Sequence, residues 1–579
     1  MSPDLQTRAS RGPSSGAFLA SPMAAELLVV GVGLVLFVIR FLGPAEVADE
    51  YHQERAAAYV MDALRNGHWI CQYGAEGEVS SKPPMYTWLA ALANLPFGRG
   101  TWFGMVLPPA LATVGTALLI LAAGRKWLGS TAGLLAALVY LISPIGIKQV
   151  ALARIDPVFT FTVLLTALLA FRAWMTGGGW VSFWLAAAAA TLTKGPLGLV
   201  LAATGLVAVW WERKGASPAP LRGSQVRGIF LFLALTGGWL AWAYAAMGPP
   251  LVQTMLGNEL VKHTVGGRDN EVPLREFYKP TLYVLARFLP WSLFALAGLW
   301  RVWRHPSADA GARRFERFLF CFFASGLLML SLAAHQRPDL IFPLVPAAAL
   351  LAGRELARLT GSVRPRTFRI ALAGGVVLGL VLAALNQFVF RRDTTTLRRS
   401  QVVLEVAELV RTQVGERFPL TYLDAPYGLQ FCLNTKYPFV SEARARKLLA
   451  GEAAAFVVTG QPHAWPGTPP LHEIVSRPMV RQERLQIIGN VPELKWTGRM
   501  ATCVGPLHLR MDRVKGMEVR AGEYRFLDAD SGASVTFTNE SEKPERVRLR
   551  WLGGTADPVA ERWLAPGESW RATRAPQGS

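Results

Sequence analysis

Isolated charged residues at the ends of long apolar segments are the part of this sequence best suited to chemistry. Asp49 and Glu50 follow the first apolar run, Lys82 precedes two prolines, and Lys194 interrupts a long apolar stretch. A carboxylate can accept a proton from an attacking hydroxyl group, and fixed cations lower the barrier to displacing a phosphate because they neutralise its oxygens. These residue types therefore fit a transfer reaction on a substrate that carries phosphate.

The acidic pair lies at the start of a predicted amphipathic helix that ends near Asn66-Gly67. Asp49 is a suitable N-cap for this helix, and capping alone would explain one small polar residue. We expect the helix to lie along the membrane surface, which places Asp49 and Glu50 among the lipid headgroups. Two acids in that layer fit better if they act on a substrate or hold a cation.

Each of the two lysines has a structural explanation and a functional one. A lysine at the centre of a bilayer costs on the order of 2.5–3.5 kcal/mol. We therefore expect Gly195-Pro196 to break the helix and to leave Lys194 at an outer turn. Lys82 precedes a proline, which favours an extended and fixed backbone. Snorkelling to the membrane interface would explain either side chain, and so would binding to an anionic lipid phosphate.

Further charged residues fall in segments that we predict to share the outer face with these four. They are Arg154, Asp156, Glu259, His263, His335 and Arg337. Asp156 precedes a proline at the start of an apolar run, so starting a helix is the simpler role for it taken alone. The convergence of these charges on one face nevertheless favours a common substrate-binding site.

The composition is that of an integral membrane protein with a soluble tail. Of 579 residues, 51% are hydrophobic and 17% are charged, against roughly 25% charged residues in ordinary soluble domains. The apolar runs predict about eleven transmembrane helices by the spanning-length rule. Arginine and lysine concentrate in alternate loops, which places the N-terminus inside and the C-terminal region outside. Membrane anchoring explains the net charge of +20, so we expect no nucleic-acid partner.

Changes in composition along the chain predict its domains. They are a cytoplasmic N-terminal tail (1–22), an all-α polytopic transmembrane domain (23–392) with outer loops 44–101 and 248–282, an extracytoplasmic α/β module (393–500) and an extracytoplasmic β-sandwich-like module (501–579). The last module shows the period-two alternation of half-buried strands. Cys432 and Cys503 fall in these outer modules and could pair if that compartment is oxidising.

Several sequence blocks, in order, resemble those of one superfamily of membrane glycosyltransferases. The blocks are Asp49-Glu50, Asn66-Gly67-His68-Trp69, Lys82-Pro83-Pro84, Arg154-Ile155-Asp156, Leu192-Thr193-Lys194-Gly195-Pro196, Phe288-Leu289-Pro290-Trp291-Ser292 and the segment from His335 to Pro346. They resemble the aminoarabinose (lipid A) transferases and the dolichyl-phosphate-mannose-type protein mannosyltransferases, which share the C-type (GT-C) fold. The resemblance covers residues 25–390. It implies a GT-C-like membrane domain, a polyprenyl-phosphate sugar donor and transfer outside the cytoplasm.

The resemblance also implies roles for individual residues. Asp49 would be the catalytic base, or the group that orients the acceptor nucleophile. Lys82 and Lys194 would neutralise the departing lipid phosphate, and Arg337 would assist them. The other charged residues named above would contribute to substrate binding.

The chain departs from the aminoarabinose transferases at three positions. Ser81 replaces an acidic residue before Lys-Pro-Pro, His52 replaces an arginine, and Leu340 replaces a tyrosine. Glu78 is a candidate substitute for the missing acid. These departures leave the cofactor open, with a divalent metal as one candidate, and they give no basis for naming aminoarabinose as the sugar.

The sequence thus predicts an integral membrane glycosyltransferase of the bacterial cytoplasmic (inner) membrane. It would transfer a sugar from a polyprenyl-phosphate-linked donor to a lipid, glycan or protein acceptor at the outer face, among membrane lipids. The alternative is a polytopic transporter or flippase of a lipid-linked glycan, which should carry ionisable groups near the membrane midplane and internal repeats. A third hypothesis is a non-catalytic assembly protein that binds glycolipid, and such a protein would not require Asp49.

The variant Asp49→Asn tests the base role. We expect it to abolish sugar transfer in vitro, because an amide cannot take the proton of the attacking group, while the purified protein keeps its melting temperature. Normal turnover by this variant would contradict the assignment.

Overall fold

The structure is a computed structural model of the 579-residue chain. It describes residues 22–48, 52–213, 219–261, 276–334, 336–391, 394–461, 463, 465, 470–480, 483–527, 532–552 and 559–574. The chain forms two compact units, each built from separate segments. The first contains Met1–Leu42, Pro109–Leu240 and Leu256–Gln387, and the second contains Gly43–Pro108, Ala241–Met255 and Phe388–Ser579.

Helices make up most of the described residues before residue 391. In chain order they are α1 (Pro22–Phe41), α2 (His52–Asn66), α3 (Met85–Asn94), α4 (Trp102–Trp127), α5 (Ser130–Ile142), α6 (Pro144–Gln149), α7 (Asp156–Thr176), α8 (Trp180–Lys194), α9 (Leu197–Ala203), α10 (Val207–Glu212), α11 (Val226–Met247), α12 (Pro249–Val252), α13 (Lys279–Arg287), α14 (Trp291–Arg304), α15 (Ala310–Leu332), α16 (Val345–Thr360) and α17 (Pro365–Leu385). Short 3₁₀ turns at Leu95–Phe97, Thr204–Leu206 and Pro338–Leu344 and π-helical turns at Gln253–Val261 and Asn386–Phe390 join or extend them.

Seven helices of the described residues are long and apolar enough to cross a membrane. The number becomes eight if α13 and α14, which bend by 118° at their junction, form a single span. Two shorter apolar helices lie at Ser130–Ile142 and Leu197–Glu212. A polytopic helical membrane domain is therefore confirmed, while the count of eleven spans stays a prediction.

The predicted break after Lys194 is present. Helix α8 ends at Lys194, Gly195 adopts a positive φ of 76°, and α9 begins two residues later at Leu197. Glycine tolerates this φ without steric penalty, and proline cannot continue the hydrogen-bond ladder of the preceding helix. The helix therefore ends where the sequence places the lysine.

Small residues allow close helix packing in the first unit. A side chain on Gly353 of α16 would place its Cβ only 2.6 Å from the carbonyl oxygen of Ala132 in α5. Backbones approach this closely in membrane domains where glycine and alanine line the contact. This contact positions α16 and the 3₁₀ turn Pro338–Leu344 that leads into it.

The tail begins with a helix and a four-stranded sheet. Its helices are α18 (Thr395–Gln413), α19 (Tyr427–Cys432) and α20 (Glu442–Leu449), and its strands are β1 (Thr421–Tyr422), β2 (Phe456–Thr459), β3 (His472–Pro478) and β4 (Arg484–Gly489). The strand order is β1-β2-β4-β3, with β1 parallel to β2 and the other neighbours antiparallel. This is the α/β arrangement that the sequence predicts.

Two further four-stranded sheets follow. Their strands are β5 (Arg499–Val504), β6 (Leu507–Asp512), β7 (Gly516–Arg520), β8 (Glu523–Leu527), β9 (Ser534–Asn539), β10 (Glu545–Trp551), β11 (Ala560–Leu564) and β12 (Ser569–Thr573). The sheet orders are β11-β10-β8-β7 and β12-β9-β6-β5. Phe537 of β9 packs against Tyr524 and Phe526 of β8, with ring centroids 5.1 and 6.1 Å apart. Aromatic side chains thus join the two sheets into the predicted sandwich.

Cys432 and Cys503 are separate free thiols, and both are buried. Burial raises the pKa of each thiol to about 11. Since the thiolate is the reactive form, both groups are chemically quiet at neutral pH.

A buried carboxylate organises one end of the first unit. Glu212, at the end of α10, is fully buried and faces Arg313, Arg314 and Arg317 of α15 at 3.7, 3.8 and 2.5 Å. Removing one partner from a buried ion cluster leaves uncompensated charge, which is strongly destabilising.

The variant Glu212→Leu should therefore lower the free energy of unfolding by about 3–5 kcal/mol. The measurement is a melting curve of the purified protein in detergent, and Glu405→Gln, at an exposed carboxylate of α18, is the control. Equal melting temperatures for the two variants would contradict the proposed importance of Glu212.

Candidate functional site

The structure describes five of the ten predicted site residues fully. Arg154, Asp156, Lys194 and Arg337 belong to the first unit, and Lys82 belongs to the second. Asp49, Glu50, His263 and His335 lie outside the described residues, as does the side chain of Glu259 in the π-helical turn Gln253–Val261. The geometry below therefore concerns the first five residues and the neighbours that the structure gives them.

Lys194 and Asp156 form an ion pair between two helix ends. The Nζ atom of Lys194, the last residue of α8, lies 2.6 Å from Oδ1 of Asp156, the first residue of α7. The side chains are only 10% and 12% exposed, and the lysine Nζ lies 5.3 Å from the ring centroid of Phe159. A cation at a helix C-terminus and an anion at an N-terminus are each favoured by the helix dipole. Lys194 is therefore a partly buried, paired cation and not a snorkelling surface residue.

Asp156 also differs from the simple helix-starting role. The residue at the N-cap of α7 is Ile155, which makes no side-chain capping hydrogen bond, and Pro157 follows Asp156 in the first turn. The carboxylate of Asp156 is instead directed to Lys194. Asp156 therefore begins a helix and also pairs with a lysine, and the local sequence does not predict the pairing.

Arg154 belongs to a second ion cluster. Asp339 binds the Nζ atom of Lys148 through Oδ1 at 3.0 Å and a guanidinium nitrogen of Arg154 through Oδ2 at 2.8 Å. The three residues come from α6, the α6–α7 connection and the 3₁₀ turn Pro338–Leu344. Two cations therefore share one carboxylate, and each uses a different oxygen.

The two ion clusters adjoin, because Arg154 and Asp156 are separated by a single residue. Among the described residues, the ion pairs of these clusters involve three cations (Lys148, Arg154 and Lys194) and two carboxylates (Asp156 and Asp339). All five come from helix ends or connections of the first unit. Arg337, which precedes the turn that carries Asp339, adds a further basic residue to this segment. The arrangement suits an anionic group.

Sequence reasoning missed Lys148 and gave no role to Asp339. Lys148 is the one charged residue of the helix Pro144–Gln149, and an isolated charge is the same signal that identified Lys194. Asp339 lies 191 residues away along the chain. Their partnership depends on tertiary packing, so local pattern could not reveal it.

In the second unit, Lys82 is positioned by hydrogen bonds of its own loop. The Oγ of Ser80 donates to the carbonyl oxygen of Lys82 at 2.8 Å and accepts the Lys82 amide at 3.4 Å. The amide of Ser81 donates to the hydroxyl of Tyr59 in α2 at 3.3 Å. The proline that follows therefore acts together with Ser80 to fix the backbone at this lysine.

Asp62, a buried residue of α2, ties the preceding loop to the helix. Its carboxylate accepts hydrogen bonds from the Tyr73 amide (2.7 Å) and the Asn66 side chain (2.7 Å), and it lies 3.0 Å from Nδ1 of His68. Residues 67–73 are thereby held against α2. The sequence pattern placed Asp62 on a surface helix and gave no sign of this buried role.

Lys436 holds the same loop from the tail. Its Nζ donates to the carbonyl oxygen of Gly74. Burial lowers the pKa of Lys436, and the carboxylates of Asp62 and Glu78 act in the opposite direction. The loop before Lys82 and the α/β module are therefore parts of one folded unit.

Glu78, the candidate substitute for the missing acid, lies in an exposed turn. Its carboxylate turns back onto its own turn and accepts the amide of Glu76 at 3.0 Å. Among the described residues, the one cluster with metal-ligating atoms close together is Cys503, His508 and Glu540. Arg444 and Lys447 already bind Glu540 at 3.1 and 2.8 Å, and these cations disfavour a divalent ion there.

Part of the chain matches known proteins in sequence. The family model for dolichyl-phosphate-mannose-protein mannosyltransferases matches residues 81–242. The undecaprenyl phosphate-alpha-4-amino-4-deoxy-L-arabinose arabinosyl transferase 1 of Pseudomonas fluorescens is 26% identical over 393 residues, which cover 66% of this chain and 68% of that protein. The corresponding transferase of Pseudomonas aeruginosa is 28% identical over 371 residues, with 62% and 64% covered. The chain thus spans about two thirds of the length of these relatives.

Solved structures share the fold. Crystal structures of ArnT from Cupriavidus metallidurans, one bound to undecaprenyl phosphate and one in the apo state, match with TM-scores of 0.62 and 0.60. The bound structure is 18% identical, and the match covers 82% of this chain and 100% of that one. The GT-C-like fold predicted from the motifs is confirmed, and so is the family resemblance.

The buried Asp62 gives a test of how the Lys82 loop is held. The variant Asp62→Asn keeps the size of the side chain but removes its charge and one acceptor, so we expect a loss of about 1–3 kcal/mol of stability. Hydrogen–deuterium exchange should rise in residues 67–84. The control is Glu76→Gln, which changes an exposed carboxylate of the same loop. If residues 67–84 exchange faster in Glu76→Gln than in Asp62→Asn, the anchoring role of Asp62 is wrong.

Proposed function

We propose that this chain is a C-type membrane glycosyltransferase that moves a sugar from a polyprenyl-phosphate-linked donor to a lipid, glycan or protein acceptor. The reaction takes place at the outer face of a bacterial cytoplasmic membrane. The N-terminus lies inside and the C-terminal modules lie outside. The specific acceptor and the orientation are parts of this proposal.

One observation carries the proposal. Lys148 and Arg154, Lys194, and Asp339 come from three segments that are remote from one another along the sequence, and ion pairs gather them at helix ends of the first unit. An anionic group that reaches these helix ends meets cations already held in place. The ArnT structure with the same fold is described as bound to undecaprenyl phosphate, and this supports a polyprenyl phosphate as the anion.

The chemistry follows from the charges. An acceptor hydroxyl attacks the sugar carbon, the bond between that carbon and the phosphate oxygen breaks, and the bonding electrons stay on the phosphate. Cations held before the reaction stabilise this developing charge without reorganising. Lys194 and Arg154 serve in this way, and Lys82 and Arg337 join them on the strength of the family resemblance.

Asp49 takes the proton of the attacking hydroxyl in this proposal. Glu50, Glu259, His263 and His335 complete the proposed substrate-binding set, because their segments are predicted to share the outer face. No step is assigned to a metal, because Ser81 stands where the aminoarabinose transferases have an acid and Glu78 is turned onto its own backbone.

The transporter alternative fits the geometry less well. A transporter binds its cargo near the membrane midplane, at broken helices of repeated halves. Here Asp156 is the first residue of its helix and Lys194 the last, and Asp339 lies in a turn before α16. Charges at helix ends favour chemistry at a membrane surface.

The distribution of basic residues supports the proposed orientation. Arg125 and Lys126 end α4, and Arg313, Arg314 and Arg317 lie in the first turns of α15. These belong to the loops that the positive-inside rule assigns to the cytoplasm.

Mass spectrometry of lipid that co-purifies with the protein tests the proposed donor. We expect a polyprenyl-phosphate sugar, whose mass also narrows the identity of the sugar. The variant Lys194→Met should retain at least about tenfold less of this lipid than the wild type, since a charge-assisted hydrogen bond contributes about 1.5–3 kcal/mol.

Two controls separate binding from folding. Arg304→Met removes an exposed cation at the end of α14 and should retain the lipid, and Lys194→Arg should restore most of the binding. Absence of any polyprenyl phosphate from the wild-type protein, or equal retention by Lys194→Met, would overturn the assignment.

A further inference from the structure

Asp339 binds its two cations in the way a phosphate would. Its two oxygens each contact a different cation, Lys148 at 3.0 Å and Arg154 at 2.8 Å. A phosphate monoester presents several oxygens that could bridge the same two side chains. The carboxylate therefore occupies the position of an anion between two cations.

The cluster is open to solvent to an intermediate degree. The side chains of Lys148, Asp339 and Arg154 are 36%, 20% and 17% exposed, so they are more accessible than the neighbouring pair of Lys194 and Asp156. An incoming anion can therefore compete for these side chains, and water can solvate the exposed part of a displaced partner. Lys148, the most exposed of the three, can leave Asp339 most easily.

The proposed reaction creates a problem of product release at any such site. The phosphate of a polyprenyl-linked sugar is a diester with one negative charge. After the sugar leaves, the lipid carries a monoester, which holds roughly 1.5 to 2 negative charges at neutral pH. The cations that favour bond cleavage therefore bind the product more tightly than the donor.

We infer that Lys148 and Arg154 form a phosphate-binding pair, and that Asp339 is an internal anion that competes with the lipid phosphate for them. This inference rests on the proposed function and names a phosphate ligand, Lys148, and a positioning residue, Asp339. When the phosphate binds, the two cations turn from Asp339 to it. When the monoester leaves, Asp339 takes them back, and the competition speeds release.

A purely structural role for Asp339 predicts the opposite sign. If the carboxylate only fixed the two cations in place, removing its charge would loosen them and weaken phosphate binding. If it competes, removing its charge releases Lys148 from this ion pair and strengthens binding of the product. The direction of change in affinity therefore distinguishes the two roles.

The test uses the full chain in detergent, with farnesyl phosphate as a soluble polyprenyl monophosphate and farnesol as its uncharged control. Binding is measured by titration in native mass spectrometry or by calorimetry. We expect Asp339→Asn to bind farnesyl phosphate about tenfold more tightly than the wild type and Lys148→Met to bind it about tenfold more weakly. The double variant should lie between them, and farnesol should not distinguish any of these proteins.

A kinetic readout follows from the same competition. In a transfer assay Asp339→Asn should show a burst of product in the first turnover and then a lower steady rate, because release becomes limiting. Melting curves report whether each variant folds. If Asp339→Asn alone is unstable, the double variant is compared with Lys148→Met, and it should bind farnesyl phosphate more tightly than that single variant does. Arg304→Met is the matched cation control.

The outcomes separate the inference from the proposed function. If the wild-type protein does not bind farnesyl phosphate, the proposed function fails. If it binds, but Asp339→Asn binds equally or more weakly, the competitor role is wrong. If it binds and Lys148→Met leaves the affinity unchanged, Lys148 is not a phosphate ligand, while the glycosyltransferase assignment stands.

Discussion

Pairing of opposite charges at helix ends is the constraint on which the membrane-embedded site depends. Lys194 closes α8, Asp156 opens α7, and their contact of 2.6 Å fixes the spacing of the two ends. A charge in a poorly solvated environment is stable only when a partner and good geometry accompany it. Because Arg154 lies two residues before Asp156, the same contact also sets where the second cluster begins. The described part of the site is thus held together by ion pairs between oppositely charged side chains.

The carboxylates beside these cations also affect how a phosphate would bind. A site that bound lipid phosphate with three unopposed cations would repel itself when empty and hold any phosphate too firmly. Carboxylates placed between the cations moderate both effects, since each cation has an alternative partner within the protein. Electrostatic preorganisation then remains available for the transition state, where charge on the leaving group is greatest.

The fold followed largely from sequence, whereas the partners within the site did not. Apolar runs gave the helical membrane domain, Gly195-Pro196 gave the break after Lys194, and period-two alternation gave the sandwich. These features depend on neighbours a few residues apart. The pairing of Lys148 with Asp339 and the burial of Asp62 depend on contacts between remote segments, which a local pattern does not contain. The sequence around Asp156 predicts a helix start, but it does not reveal the ion pair with Lys194, because that partner lies 38 residues further on.

The second unit has a consequence for biosynthesis, because its parts are made far apart in time. Its first segment ends at Pro108 and its last begins at Phe388, a separation of 280 residues. At about 5–20 residues per second, a ribosome takes on the order of 14–56 seconds to make the intervening chain. Throughout that interval the loop before Lys82 lacks Lys436, the tail residue that binds Gly74. The early segment therefore lacks this contact until translation of the tail has supplied Lys436.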